Sequence, residues 1–285
     1  MSSLFPLPSP LLPPFDSLLL KGKYHASAPI HLCLTHISSH PGTKAIVLTP
    51  SRQKWLQALC NFNDDWLNEC GGYGAVSHIL SQVDVFYPPS PAHLCLVLSM
   101  LRTSESTDTF PPLGRPTLDR PPSLLVLHEI SDYYDETSPT GHSASSYVSL
   151  VAHAFSASFS LSTEAADSTT SIVLMDSGLD QLKLPIIPNP GPIFTASEDE
   201  EPTAESSRHK VHVAALVEQY FQWVGTVESR TEPHAAETQS NHKLSLHLNV
   251  VLQDNADMDV AWEWHEKPGH PRGFSERPGV VFGWS

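Results

Sequence analysis

The sequence predicts an α/β fold, a mostly parallel sheet flanked by helices, with a C-terminal antiparallel β extension. Three observations carry this reading. Five short runs are apolar almost without interruption: SLLLK (17–21), KAIVLT (44–49), VDVFY (83–87), SLLVLH (123–128) and SIVLMD (171–176). Such runs suit strands covered on both faces, whereas a half-exposed strand alternates. Segments with helical spacing lie between them, and alternating strand and helix builds a parallel sheet. The C-terminal part changes character: KLSLHLNVVL (243–252), DVAWEWHE (259–266) and GVVFGW (279–284) read as short antiparallel strands joined by turns.

Taken in order, residues 1–16 form a proline-rich tail. Prolines interrupt its apolar stretch and no basic residue precedes it, which argues against a signal peptide. Residues 17–228 form the core. Residues 52–66 are a helix candidate. Leu94, Val97, Leu98 and Leu101 follow helical spacing after Ser90, a good N-cap, and Pro91. Tyr147, Leu150, Val151, Ala154 and Phe155 make a second stripe, and Val213, Leu216, Val217, Tyr220 and Phe221 a third. All three stripes read as core faces. Two inserts rich in Pro, Ser and Thr interrupt the core at about 103–122 and 185–207, and residues 229–242 form a linker before the 243–285 extension. The second insert carries the acidic run SEDEEPTAES, a solvating loop or a contact for a basic partner. No apolar run approaches the roughly 20 residues of a membrane span.

The 285 residues carry a formal charge of −15. Affinity for polyanions comes from Lys and Arg, so this balance disfavours direct nucleic-acid binding. None of the four cysteines (Cys33, Cys60, Cys70, Cys95) has C-x-x-C spacing, and Cys33, Cys60 and Cys95 fall in apolar periodic runs, as buried reduced thiols do. The 16 histidines are scattered, with no H-E-x-x-H and no Cys/His quartet, so no metal site is expected.

The chemistry concentrates at two strand ends. LLLKGKYHASAP (18–29) has the outline of a phosphate-binding loop: strand, glycine turn, helix start. A working loop reads G-x-x-x-x-G-K-[ST], in which backbone amides cradle phosphate, lysine reaches the outer phosphates and the hydroxyl binds magnesium. Gly22 matches the first glycine, but Ser27 replaces the second, Ala28 the lysine and Pro29 the hydroxyl residue. Pro29 also lacks an amide hydrogen. Lys23 offers a substitute charge at the start of the loop. The second end is SLLVLHE, where the carboxylate expected to organise magnesium is replaced by His128, followed by Glu129. On a continuing strand Glu129 would face away from His128. With both ends altered, nucleotide hydrolysis, ATP and magnesium are not expected. The alternative is an NTPase with an unconventional pocket using Lys23 and Glu129.

Two other patterns compete. GHSAS (141–145) approximates the nucleophile elbow of serine hydrolases, with Ser143 as nucleophile, but polar, turn-like residues precede it instead of a buried strand. Trp262, Trp264, Phe274, Phe282 and Trp284 alternate with Lys267, Arg272 and Arg277, as in a stacking platform for single strands. Glu263, Glu266 and Glu276 balance those charges, which favours core packing.

In order and spacing, LLLKGKYHASAP, VDVFYPPSPAHLCLVLSML, PPSLLVLHEISDYY, YVSLVAHAFSASF, SIVLMDS and ALVEQYFQWVGTV resemble the RecA-type recombinase paralogues that associate with a SWIM-domain zinc protein in Shu-type complexes. The resemblance covers roughly residues 17–228. It implies a RecA-like core acting in homologous recombination in the nucleus. The implied partners are a SWIM-domain zinc protein and the strand-exchange recombinase, with single-stranded DNA reached through the complex. The family's ATP-binding pattern carries over only at Gly22, so a non-catalytic scaffold is expected. No F-x-x-A recombinase motif occurs; FTAS (194–197) has its alanine one position early.

Overall fold

The structure, a computed structural model, describes residues 1–102, 118–134, 142–164, 169–186, 210–230, 242–251, 259–269 and 278–284. Along the chain these form β1 (Ser17–Gly22), α1 (Ala28–Ser39), β2 (Lys44–Leu48), α2 (Arg52–Phe62), α3 (Asp65–Cys70), α4 (Gly74–Leu80), β3 (Val83–Phe86), α5 (Pro91–Met100) and β4 (Pro122–His128). After a 3-10 turn at Ile130–Tyr134 come α6 (Ala144–Glu164), β5 (Ser171–Asp176), β6 (Lys183–Pro185), β7 (Lys210–His212), α7 (Val213–Val217), β8 (Trp223–Arg230), β9 (His242–Val250), β10 (Asp259–Pro268) and β11 (Val280–Trp284). Most of the two inserts, the linker segment 231–241, the acidic run, FTAS, Arg272, Phe274 and Arg277 lie outside the described residues.

All five apolar runs are strands. They join one nine-stranded sheet in the order β11-β10-β9-β8-β1-β5-β4-β2-β3. The strands β8, β1, β5, β4, β2 and β3 pair in parallel, and β8, β9, β10 and β11 pair antiparallel. The sheet is thus mostly parallel with an antiparallel extension, as the sequence predicts. Alternate residues serve opposite layers. Leu19, Ile46, Leu125 and Leu174 pack with α5, α6 and α7, whereas Leu18, Leu20, Val47, Val126 and Met175 pack with α1 and Trp55. Continuously apolar strands are what burial on both faces demands.

Several segments depart from the sequence-based expectation. The helix expected over 52–66 is two helices. Asn63 takes a left-handed φ of 55° and accepts the C-terminal position of α2, and Asp64 then caps α3 through a 3.1 Å bond from the Leu67 amide. Asparagine tolerates that conformation better than other non-glycine residues. The stripe at 213–221 is helical only over α7 and a 3-10 turn, Glu218–Tyr220; the chain then enters β8, which pairs with both β1 and β9 and joins core and extension in one sheet. Valine, tryptophan and threonine in WVGTVESR suit a strand, which begins two residues past the end of the helical stripe. Cys33 is buried as expected, but Cys60 is exposed on α2.

The proline-rich N-terminal segment is packed against the fold. Leu4, Phe5 and Leu12 are buried with α1 and the β extension, the Ser3 amide donates to Thr35 Oγ1 at 2.8 Å, and Trp223 Nε1 donates to the Pro14 carbonyl at 3.2 Å. No described helix is long and apolar enough to cross a membrane.

Candidate functional site

The C-terminal ends of the parallel strands, where α/β folds bind ligands, meet at the loop of residues 23–27. Gly22 closes β1 with φ 88°, and a Cβ there would stand 2.3 Å from the Val227 carbonyl oxygen. Only glycine satisfies both constraints. As in a phosphate-binding loop, a glycine turn delivers the chain to a helix N-terminus.

That helix N-terminus has no free donor in its first turn. The Ala28 amide donates to the His25 carbonyl at 3.0 Å. The Ile30 and His31 amides both donate to the Ser27 carbonyl, at 3.0 and 3.1 Å, and Pro29, inside the first turn, has no amide hydrogen. Anion sites at helix N-termini depend on amides left unpaired there. Here the chain satisfies its own.

The side chains are committed in the same way. Ser27 occupies the N-cap position, yet its hydroxyl does not cap the helix; it donates to Asp64 Oδ2 at 2.5 Å. His31 Nε2 bonds the same oxygen at 2.8 Å, and His25 Nδ1 lies 3.0 Å from Ser27 Oγ. All four residues are buried. Burial raises the pKa of Asp64, but the bonds from His31, Ser27 and the Leu67 amide outweigh it and hold the carboxyl below the usual carboxylate range. His25 packs against Phe5, Phe62 and Phe282 with ring separations of 4.8, 5.5 and 4.6 Å. That burial pushes it down to about 3, so it is neutral. The N-terminal segment, α2 and β11 therefore fill the space around the loop with aromatic rings.

The second strand end is organised around carboxylates. β4 stops at His128, and Glu129 turns back with a left-handed φ of 52°. The expectation that the two residues face apart is thereby overturned: the chain no longer continues as a strand, and both line one cavity of about 280 Å³. Glu129 Oε1 accepts from the Tyr24 hydroxyl, and Oε2 accepts from the amide and hydroxyl of Ser177 at 3.1 and 2.8 Å. Behind it, Asp176 accepts from the Ser131 amide and hydroxyl, the Tyr147 hydroxyl and the Gly178 amide. Burial, then repulsion from Asp176, raises Glu129 to about 7, and burial raises Asp176 as well. His128 bonds Thr49 Oγ1 through Nδ1 at 3.1 Å, and burial lowers it to about 3.

A magnesium nucleotide does not fit these residues. Ala28 offers no cation at the helix entrance, the Ser27 hydroxyl is spent on Asp64, and neutral His128 stands where a hard oxygen ligand is needed. Lys23 is exposed. Lys21 points to Asp180 and Glu218 at 2.8 Å each. Lys54 pairs with Asp132 at 3.1 Å on the cavity rim.

Of the competing patterns, Ser143 is fully buried at the start of α6. Its hydroxyl accepts from the Ser146 amide at 3.2 Å while its amide donates to Ser146 Oγ at 3.2 Å, a reciprocal cap. Gly141 of the same motif lies outside the described residues. Trp264 is buried, and the rings of Trp264, Phe282 and Trp284 pack edge-on around Phe5 at 5.0, 5.2 and 4.5 Å.

The sequence reading brought Gly22, Ser27, Pro29, His128 and Glu129 into play and missed Tyr24, His25, Asp64 and Asp176. Asp176 ends an apolar strand with a charge at its ligand-binding end, a signal available in SIVLMD. Asp64 reads only as a helix cap, because its tertiary partners come from another element. Comparison of the sequence with protein-family models and with curated proteins gives no match.

Proposed function

We propose that this chain is a non-catalytic, RecA-like scaffold subunit of a Shu-type recombination-mediator complex, acting in the nucleus. It would hold a SWIM-domain zinc protein and support recombinase assembly on single-stranded DNA reached through the complex. The observation that carries this reading is the internally committed loop: the first-turn amides and the Ser27 hydroxyl are bonded inside the protein, and His25 is packed among Phe5, Phe62 and Phe282. The mostly parallel sheet with its antiparallel extension supports a RecA-like core. A fold kept with its phosphate chemistry removed is suited to presenting surfaces. Co-expression with a SWIM-domain zinc protein, followed by gel filtration without nucleotide, tests the proposal. A stoichiometric complex is the expected result; assembly only after ATP addition, or none, contradicts it.

A second reading has one observation in its favour. Glu129 combines a left-handed backbone, burial and a pKa near 7 in a cavity, a combination found in general bases. An NTPase using Lys23 and Glu129 would hydrolyse ATP and lose that activity in both Lys23→Ala and Glu129→Ala. Hydrolysis that persists in either variant dismisses this reading.

A further inference from the structure

The cavity at the strand ends has chemistry of its own once a nucleotide is set aside. Its wall carries the Trp55 indole, the Tyr24 ring, Glu129 and Asp132. Among the described residues Lys54 is the one Lys or Arg lining it, and that side chain is 60% exposed at the rim, already paired with Asp132. His128 is 5% exposed and its ring centroid lies 5.2 Å from that of Trp55. Its Nδ1 is used by Thr49, while Nε2 has no hydrogen-bond partner among the described residues; the nearby Glu129 Oε1 stands 3.9 Å away. Two carboxylates and an indole, with a buried neutral imidazole beside them, select an N–H-rich cation on an apolar stem. A volume of about 280 Å³ lies just below the usual range for drug-sized ligands. It suits one extended side chain.

We propose that this cavity receives a single lysine or arginine side chain presented by a partner protein, its stem along Trp55 and its cationic head between Glu129 and Asp132. The inference rests on the scaffold reading for the source of the side chain. Charge complementarity supports that source: the chain carries a net −15 and would attract a basic segment. Any partner residue entering the cavity also covers the strand ends that the closed loop has withdrawn from nucleotide chemistry.

The test uses the full chain and the Trp55 indole resonance in a proton–nitrogen spectrum, assigned by its loss in Trp55→Phe. The probes are Nα-acetyl-arginine methylamide, its uncharged citrulline analogue, and spermidine. The arginine probe should shift the Trp55 signal saturably, with a dissociation constant on the order of 1 mM, and the citrulline probe should not. Glu129→Gln and Asp132→Asn should each weaken the arginine effect by about fivefold or more. Asp132 sits at the mouth, so its variant remains folded if Glu129→Gln does not. An equal response to citrulline, or no response to arginine at about 20 mM, overturns the inference. Tighter binding of spermidine overturns the protein source and assigns a free polyamine instead. Magnesium ATP added to the same sample reports separately on the scaffold reading. A Trp55 shift with ATP contradicts that reading, while loss of the arginine shift alone contradicts only this one.

Discussion

Asp64 is the residue on which the closed loop turns. It anchors Ser27 and His31, and its second oxygen caps α3. Asp64→Ala leaves a buried hydroxyl and a buried imidazole without their acceptor and removes a cap. A loss of about 3 kcal/mol in urea unfolding is expected. An unchanged midpoint would mean that the network contributes nothing. Ser143 offers the contrasting case, a hydroxyl that sequence alone places in a hydrolase motif and geometry places at a helix cap. Ser143→Ala should cost about 1 kcal/mol, and the native serine should not label with a fluorophosphonate. Labelling at Ser143 would refute the structural assignment.

At the scale of elements, the loop is held shut from outside by three segments distant in sequence: residues 1–15, α2 and β11. Phe5, from the first of these, is 2% exposed and in contact with His25, Trp264, Phe282 and Trp284. Phe5→Ala is expected to cost about 3 to 5 kcal/mol. It should also speed hydrogen exchange at the amides of residues 23–27 beyond the change in global stability. Uniform acceleration across the sheet would show that Phe5 serves the core alone. The same elements show where sequence was legible. Strands buried on both faces announce themselves through composition, and each of the five continuously apolar runs is a strand of the parallel part of the sheet, which β8 completes. Gly22 and Ser90 were legible because a positive φ and a helix cap restrict residue type locally. β8 was missed because WVGTVESR is not continuously apolar as the five marked runs are, and the packed N-terminal segment because proline density alone does not reveal a docking surface.

At the scale of the whole molecule, buried titrating groups set an acid limit on stability. His25, His36 and His128 are held neutral, with values lowered to about 3, 4 and 3 mainly by burial. Each gains a proton on unfolding below about 6.5, so each favours the unfolded state as the pH falls. Glu129, raised to about 7, acts in the opposite sense over that window, and burial shifts Asp176 in the same direction as Glu129. The three histidines outnumber these two groups, so net proton uptake on unfolding, and with it a loss of stability, is expected as the pH falls below about 6.5. Urea midpoints measured across that window should fall steadily with pH; a flat or rising profile would contradict the buried, neutral histidines.

The site itself was half legible. Which groups a phosphate loop lacks can be read from LLLKGKYHASAP, because the chemistry of each position is known. What replaces the phosphate cannot, because Asp64, Phe5 and Phe282 arrive from elsewhere in the chain. A loop filled by the protein's own side chains, as His25, Phe5 and Phe282 fill this one, is expected to leave no place for a nucleotide. Isothermal titration of the full chain with ATP in excess magnesium tests it most directly. No binding heat is predicted at millimolar ATP, and a saturating isotherm with micromolar affinity would contradict the claim.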